Sequence, residues 1–596
     1  MNQQLFQSLY QQKQYGQLIT AFESPQNNLK TDALVNSLYL NALRHRGYTD
    51  KAQKGYERLY KKMSHLPFVV NGFGNLLIAT NQFERAVEVY KKGIVQIGPQ
   101  FEFYFNAGRA LQRASQYVTA QQYFTQSLQL NPNAFEARVC IAECVASRGL
   151  LQQSYEIVAQ LLPHAPQHPR LLQHVSMVCR RLHKYEEAIN LDKRRTQLYP
   201  QDMAAWRNLG GSLALAGHAE DALQAYTRAL ALAGTNSEVH IELANWLWFN
   251  GDADPFRYFK QAIQAQPDNQ AFWLAFIHLL IKCDDWERAS DEINQLQTHH
   301  ATTPEILLLQ STIERESGNA SHALLCTERA MAMQPKPQTA ALINEHTYNL
   351  LATEHYPQAL KFAQVLIRRE PKDQGWWNLY VTCLRKLNKS KEYHSLCDYQ
   401  KLVSITDWQA DSNTVNTLMA YLQASHSGKR QPIGQSLQSG TQTLEELFDI
   451  PDAPIVNLKA HILDMIAAHV NTLPQQSGHP LLSRIPKSDE YFFTGSWSVR
   501  LRQNGYHKPH FHPAGWLSGV IYLGVPDAVN KDGQGWIEFG RPNITGLHDE
   551  PEFVVKPQVG RLILFPSYLW HGTRAFASDE TRLTVAFDLI PASERQ

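Results

Sequence analysis

The sequence predicts a two-part molecule: an all-α superhelix of repeats over residues 1–404, then a compact β domain with a helical preface over 405–596. Three observations carry that reading. Small and proline residues recur every 34 positions through the first two thirds of the chain. Near residue 405 that period stops, and from residue 490 the apolar pattern changes to the short alternating runs of strands. A chain of 596 residues also exceeds what one hydrophobic core organises.

In the first part, Gly74, Gly108, Ala142, Ser176, Gly210 and Ala244 stand 34 apart. Twelve residues after the first five of these come Ala86, Ala120, Ser154, Ala188 and Ala222, and Pro132, Pro166 and Pro200 close the repeats. Two stretches, "FYFNAGRALQRASQYVTAQQYFTQSLQLNPN" and "AAWRNLGGSLALAGHAEDALQAYTRAL", carry the pattern in full. It resembles the tetratricopeptide repeat family, in which each repeat is two antiparallel helices with small residues at their crossing and proline after the second. "YPQALKFAQVLIRREPKDQGWWNLY" repeats the twelve-residue step from Ala359 to Pro371, while between 245 and 350 the period slips, as near Pro267. Degenerate repeats are expected there, about ten helical pairs in all. Each pair buries its apolar face against its neighbours, which leaves a concave inner surface. The resemblance implies a peptide or protein partner in that groove, with self-association as an alternative use. Trp206, Tyr226, Trp376 and Trp377 are expected in the interhelix core.

Composition removes other classes. The 56 Lys+Arg against 55 Asp+Glu give a formal charge of +1, so no global field attracts nucleic acid or an acidic membrane surface. The seven cysteines are odd in number, scattered and without a Cys-x-x-Cys pair, the pattern of reduced thiols. The N-terminal "MNQQLFQSLYQQKQYGQLITAF" has no basic stretch followed by an apolar core, and nowhere do eighteen apolar residues run together. A cytoplasmic protein without membrane insertion is expected. Gly-x-Ser-x-Gly elbows, phosphate-cradling glycine loops and cysteine zinc-ligand sets are absent.

Past "SITDW", the stretch "SGKRQPIGQSLQSGTQTLEELFDIPD" has the composition of a linker. Thr443 with Glu446 reads as a capping box heading a short helix, and "PIVNLKAHILDMIAAHVNTL" has helical apolar spacing. Six strand-like runs follow: "YFFTGSWSVRLRQNG", "WLSGVIYLGVP", "GWIEFGRP", "EFVVKP", "GRLILFPS" and "TRLTVAFDLI". At that spacing they make a sandwich or small barrel.

"HKPHFHP" (507–513) lies between the first two of these runs. If it is extended, His510 and His512 point to one face, as a metal pair requires, and His507 lies on the other face or in the turn. His571, after an apolar strand, is the best third ligand. Arg582 stands eleven residues later within an apolar strand; buried there it would need an anionic partner, and otherwise it points outward.

That order, His-x-His, a Tyr-bearing strand, His, then Arg, resembles the 2-oxoglutarate and Fe(II)-dependent oxygenase superfamily. "QSLQSGTQT", "HFHPAGWLSGVIYL" and "LILFPSYLWHGT" are similar to the oxygenases of that kind fused to tetratricopeptide repeats in bacteria. The resemblance implies a double-stranded β-helix (jelly-roll) with His510, His512 and His571 as catalytic metal ligands. It also implies Arg582 as the clamp on the 2-oxoglutarate carboxylate and Tyr522 and Thr584 as further donors to it. Fe(II), 2-oxoglutarate and O2 are the implied cofactors, and C–H hydroxylation the implied reaction.

The pattern departs from that superfamily at His512, where Asp or Glu is usual. The triad is then three neutral imidazoles, or one of His510 and His512 binds with His571 and water completes the set. Cupins share the fold and His-x-His, and Gly560, Pro566 and His571 echo their second motif, although Tyr568 and Ala575 replace its Gly and Asn. Two alternative functions follow, a three-His iron cupin enzyme without 2-oxoglutarate and a catalytically silent repeat scaffold. Substrate and oligomeric state are not written in the sequence.

Overall fold

The computed structural model describes residues 2–334, 337–444 and 446–595. It contains two compact units, one ending at Leu191 and one running from Asp192 to Arg595. Both contain antiparallel helix pairs, and the reason for the 34-residue period is steric. In the first unit the helix Pro67–Ala79 packs on Phe83–Ile97, and Phe101–Arg113 packs on Tyr117–Leu130. A Cβ on Gly74 would lie 2.3 Å from the Tyr90 ring, and one on Gly108 would lie 2.8 Å from Phe124. Gly210 stands in the same relation to Tyr226 in the second unit, at 2.9 Å. The missing side chain is where the partner helix seats its aromatic ring. On the partner helices Ala86, Ala120, Ser154, Ala188 and Ala222 are fully buried, so nothing larger fits at the crossing.

The turns carry a second marker of the period. Gly47, Asn81, Ser115, Gly149, His183, Gly217 and Gly251 all have positive φ and stand 34 apart. One left-handed residue ends each first helix and reverses the chain. The next three are Asp284, Gly318 and Glu354, at steps of 33, 34 and 36. Residues 245–350 are thus continuous with the repeats, one residue short before Asp284 and two long before Glu354. Trp206, Trp273 and Trp377 each stand six residues after a proline, and each indole N–H donates to that proline's carbonyl, at 3.0, 3.0 and 2.9 Å. Tyr226 is buried in an interhelix cluster with Trp206 packed against it, while the half-buried Trp376 and Trp377 pack against clusters that also take in residues of the C-terminal domain.

Among the described residues the C-terminal domain has nine strands: β1 Ser404–Asp407, β2 Leu437–Gln442, β3 Tyr491–His507, β4 Leu517–Gly524, β5 Ile537–Phe539, β6 Phe553–Val555, β7 Arg561–Pro566, β8 His571–Thr573 and β9 Arg582–Pro591. Six form an antiparallel sheet in the order β1-β7-β4-β9-β3-β2, and three form a second in the order β6-β5-β8. The sheets meet where Phe539 of β5 touches Phe565 of β7, ring centroids 5.2 Å apart. The fold class is the expected one, tetratricopeptide helix pairs followed by a double-stranded β-helix with a helical preface. The preface helices Ser412–Ser425 and Ala453–Val470 bury Leu418, Leu422, Ile455, Ile462 and Ile466 in the same core as the strands.

Three strands lie outside the six runs expected from the sequence. β1 comes from "SITD" at the end of the repeats and pairs with β7; β2 comes from the linker-like stretch and pairs with β3. β8 is the His571 segment itself, paired with β5. The capping box does not form. Thr443 Oγ accepts the Ser498 N–H at 3.0 Å and Glu446 Oε2 accepts the Ser496 N–H at 2.8 Å, so both side chains extend β3's pairing instead of capping a helix. Only a 3-10 turn, Leu447–Asp449, follows them. The open backbone of β3 is a better partner than a three-residue helix.

The last repeats hold the β domain where the site lies. From the helix Gln374–Lys386, Asn378 Nδ2 donates to the Tyr568 carbonyl at 2.8 Å and Thr382 Oγ1 accepts from Trp570 Nε1 at 3.0 Å. Val381, Leu384 and Leu402 share the β-domain core. The loop leading to His571 is thus bolted to a repeat helix. All seven cysteines are free thiols, and no helix among the described residues is long and apolar enough to cross a membrane.

Candidate metal centre

The segment after β3 stays extended because it borrows a neighbour. His510 and His571 exchange backbone hydrogen bonds at 2.8 and 2.9 Å, and the His512 N–H reaches the Ser567 carbonyl at 2.9 Å. Alternation then puts the rings of His510 and His512 on one face, as expected. His571 completes the group, with ring centroids 4.2 Å from His510 and 5.0 Å from His512. One ligand atom from each of the three lies within 4.8 Å of the other two.

Their tautomers are set by oxygen acceptors. Nδ1 of His510 faces the Lys508 carbonyl at 2.8 Å, Nδ1 of His571 faces the Leu569 carbonyl at 3.0 Å, and Nδ1 of His512 faces Asp588 Oδ2 at 2.8 Å. A carbonyl or carboxylate only accepts, so each Nδ1 carries the proton and each Nε2 of a neutral ring presents a lone pair. Burial, with the neighbouring imidazoles, keeps His571 neutral and His510 down to about 3. Nε2 of His512 and Nε2 of His571 are 3.2 Å apart. With both rings in the neutral Nδ1–H form, two lone pairs face each other at that distance, and a cation between them removes the repulsion. Imidazole–metal bonds of about 2.1 Å span such a gap. The donor set therefore fits a divalent transition metal, with neutral imidazole ligands.

His507 is closer to the centre than expected. Its Nδ1 lies 3.0 Å from Ser436 Oγ, which in turn lies 3.3 Å from His510 Nε2, and burial pushes its pKa well down.

Arg582 is 2% exposed. The outward alternative does not hold: it points inward, and among the described residues no carboxylate lies within ion-pair distance. Its Nη1 donates to the Gly535 carbonyl at 2.9 Å and its Nη2 to Thr573 Oγ1 at 3.3 Å, while Nε has no partner. Burial lowers its pKa and the Tyr522 hydroxyl opposes that. Tyr522 on β4 pairs in register with Thr584 on β9. The three histidines, Arg582, Tyr522 and Thr584 all line one cavity of 720 Å³.

Several residues of this cavity were not anticipated. Asp588, Ser436, Thr573 and Trp497 line it, and so do Ile281, Lys282 and Asp284 from a repeat. Lys508, beside the histidines, is ion-paired with Asp284. Asp588 had a legible signal: residues 582, 584, 586 and 588 alternate on β9, and all four face the cavity. Ser436 and the repeat residues had none.

The family models agree with the fold. Residues 495–588 match a family described as "Putative 2OG-Fe(II) oxygenase". Residues 111–174, 253–313 and 180–237 match tetratricopeptide repeat families. No curated protein matches the chain. Among solved structures it is similar to yeast Tom70, at 11% identity over 67% of this chain and 96% of that one, with a TM-score of 0.34. It is also similar to MamA (41-end) from Desulfovibrio magneticus RS-1, at 16% identity over 28% of this chain and 96% of that one, TM-score 0.26. A tetratricopeptide repeat protein from Parabacteroides merdae gives 15% identity over 42% and 98%, TM-score 0.27. The chain thus carries tetratricopeptide repeats between residues 111 and 313 and ends in a domain of the oxygenase family matched at 495–588.

Proposed function

We propose that the protein is a 2-oxoglutarate- and Fe(II)-dependent dioxygenase that hydroxylates a peptide or protein substrate recruited by its repeats. The observation that carries this reading is the pairing, in one cavity, of three convergent imidazoles with a buried guanidinium that has no carboxylate at ion-pair distance among the described residues. In this reading His510, His512 and His571 hold the metal. Arg582 grips the far carboxylate of 2-oxoglutarate, with Tyr522 and Thr584 as additional donors. Fe(II) held there would supply oxidation of a substrate C–H bond by O2, at the expense of 2-oxoglutarate.

The chain's own residues prepare that chemistry. Gly535 and Thr573 fix the plane of the guanidinium by taking one hydrogen bond on each Nη. An Arg in this state offers a carboxylate more than a Lys would, because its donors are planar and pre-set. Burial of His510 and His571 keeps protons from competing for their Nε2 atoms. The functional division falls at residues 1–404 for recruitment and 405–596 for catalysis, in the cytoplasm and without nucleic acid or membrane as partner.

The test is an anaerobic Fe(II) titration of the full chain, with and without 2-oxoglutarate, reading the weak visible charge-transfer band of a keto acid chelated to iron. The full chain is needed because Val381, Leu384 and Leu402 complete the β-domain core. The band is expected in the wild type and lost in His571→Ala and in Arg582→Ala. Three imidazoles without a carboxylate ligand also suit a three-His cupin, and iron binding without any band would favour that reading. No iron binding at all would favour a scaffold.

A further inference from the structure

We infer that Asp588 is a positioning residue for His512 and restores, across the imidazole ring, the negative charge that a carboxylate ligand at position 512 would have brought. The inference rests on the reading of the three histidines as a metal centre. Asp588 is 9% exposed, and its Oδ2 accepts from His512 Nδ1 at 2.8 Å. Its Oδ1 accepts from Ser518 Oγ at 2.6 Å. Ser518 faces Asp588 in the β4–β9 register and lies 2.8 Å from Ser567 Oγ, whose own carbonyl holds the His512 N–H. Both carboxylate oxygens and both ends of His512 are therefore tied to one rigid frame.

Charge balance is the second part of the argument. Among the described residues Asp588 has no lysine or arginine within ion-pair distance, and the group facing its Oδ2 is the His512 imidazole. A carboxylate taken that far out of water is costly unless a cation is near. A divalent metal on the far nitrogen of His512 provides one, and the carboxylate makes the imidazole a stronger donor in return. With metal, carboxylate, imidazole and ion form one neutralising chain.

The experiment uses the full chain and Fe(II) alone, under anaerobic conditions, in competition with a chromophoric chelator. The visible absorption of the Co(II)-substituted protein is the second readout. Asp588→Asn keeps the shape and removes the charge, and is expected to weaken Fe(II) binding about 10- to 100-fold and to shift the Co(II) bands. Ser518→Ala, which frees Asp588 without touching the histidine, is expected to weaken binding in the same direction. It stands as the deciding variant if changes at 588 unfold the domain. Wild-type Fe(II) affinity and an unchanged Co(II) spectrum in both variants would overturn the inference while leaving the metal centre intact. A wild-type chain that binds no Fe(II) would instead refute the metal centre, and the inference with it.

Discussion

Replacing Arg582 by methionine should make the ligand-free protein more stable while removing its response to 2-oxoglutarate. Burying a guanidinium without an anion costs several kcal/mol, about 5 here, and the unpaired Nε adds about 2 kcal/mol. Against this stand the hydrogen bonds to Gly535 and Thr573, about 2 kcal/mol each for a charged donor, and about 1 kcal/mol for the acceptors left behind. The net gain for methionine, which fills similar volume, is about 2 kcal/mol. The unit from Asp192 to Arg595 is large, so its unfolding entropy is about 0.8 kcal/mol per degree and the gain raises its Tm by about 2 °C. With Mn(II) in every sample, saturating 2-oxoglutarate at about 100 times Kd should stabilise the wild type by about 2.7 kcal/mol more and the variant by nothing more, so the order of melting reverses. Differential scanning calorimetry of both proteins, with and without ligand, reads all four values. A ligand-free variant that melts below the wild type would refute the reasoning, because the guanidinium would then be a structural anchor and not a site held for an anion.

Two further outcomes follow from the packing. Burial holds His346, His426 and His479 neutral with pKa values near 4, below the unfolded value of about 6.5. The unfolded chain therefore takes up protons first, and stability is lost as pH falls from about 6.5 towards 4. A Tm of the second unit that stays flat between pH 7 and 4.5 would contradict this. In the first unit, Gly74→Ala pushes a methyl to 2.3 Å from the Tyr90 ring and should cost about 1–3 kcal/mol. Gly16→Ala, in the helix Tyr15–Glu23 with open space around it, should stabilise by about 0.5–1 kcal/mol. Urea denaturation of the two variants separates the cases, and equal midpoints would refute the steric account of the repeat.

The site was legible in part. His510 and His512 share a face because side chains alternate along any extended segment, whatever its partner. The segment itself stays extended through the backbone bridge to His571, 61 residues further on. The same alternation put Asp588 on the Arg582 face of β9, yet its contact with His512 spans 76 residues and needs β4 to supply Ser518. β1, β2 and β8 had no signal of their own. "SITD" and "LQSGTQ" lack a strand's apolar alternation and are strands because β7 and β3 present unpaired backbone to them.

By itself the sequence determined what depends on neighbours along the chain. The 34-residue period follows from one helix meeting the next, so Gly74, Gly108 and Gly210 reveal it without any tertiary knowledge. The histidine spacing and the apolar setting of Arg582 are local in the same sense. The packing of distant segments is what buries Arg582 with no carboxylate at ion-pair distance among the described residues, sets Asp588 behind His512, and brings Ile281, Lys282 and Asp284 of a repeat to the cavity wall. Those are meetings of distant segments, and they depend on strand pairing and core packing rather than on any pattern that one segment carries.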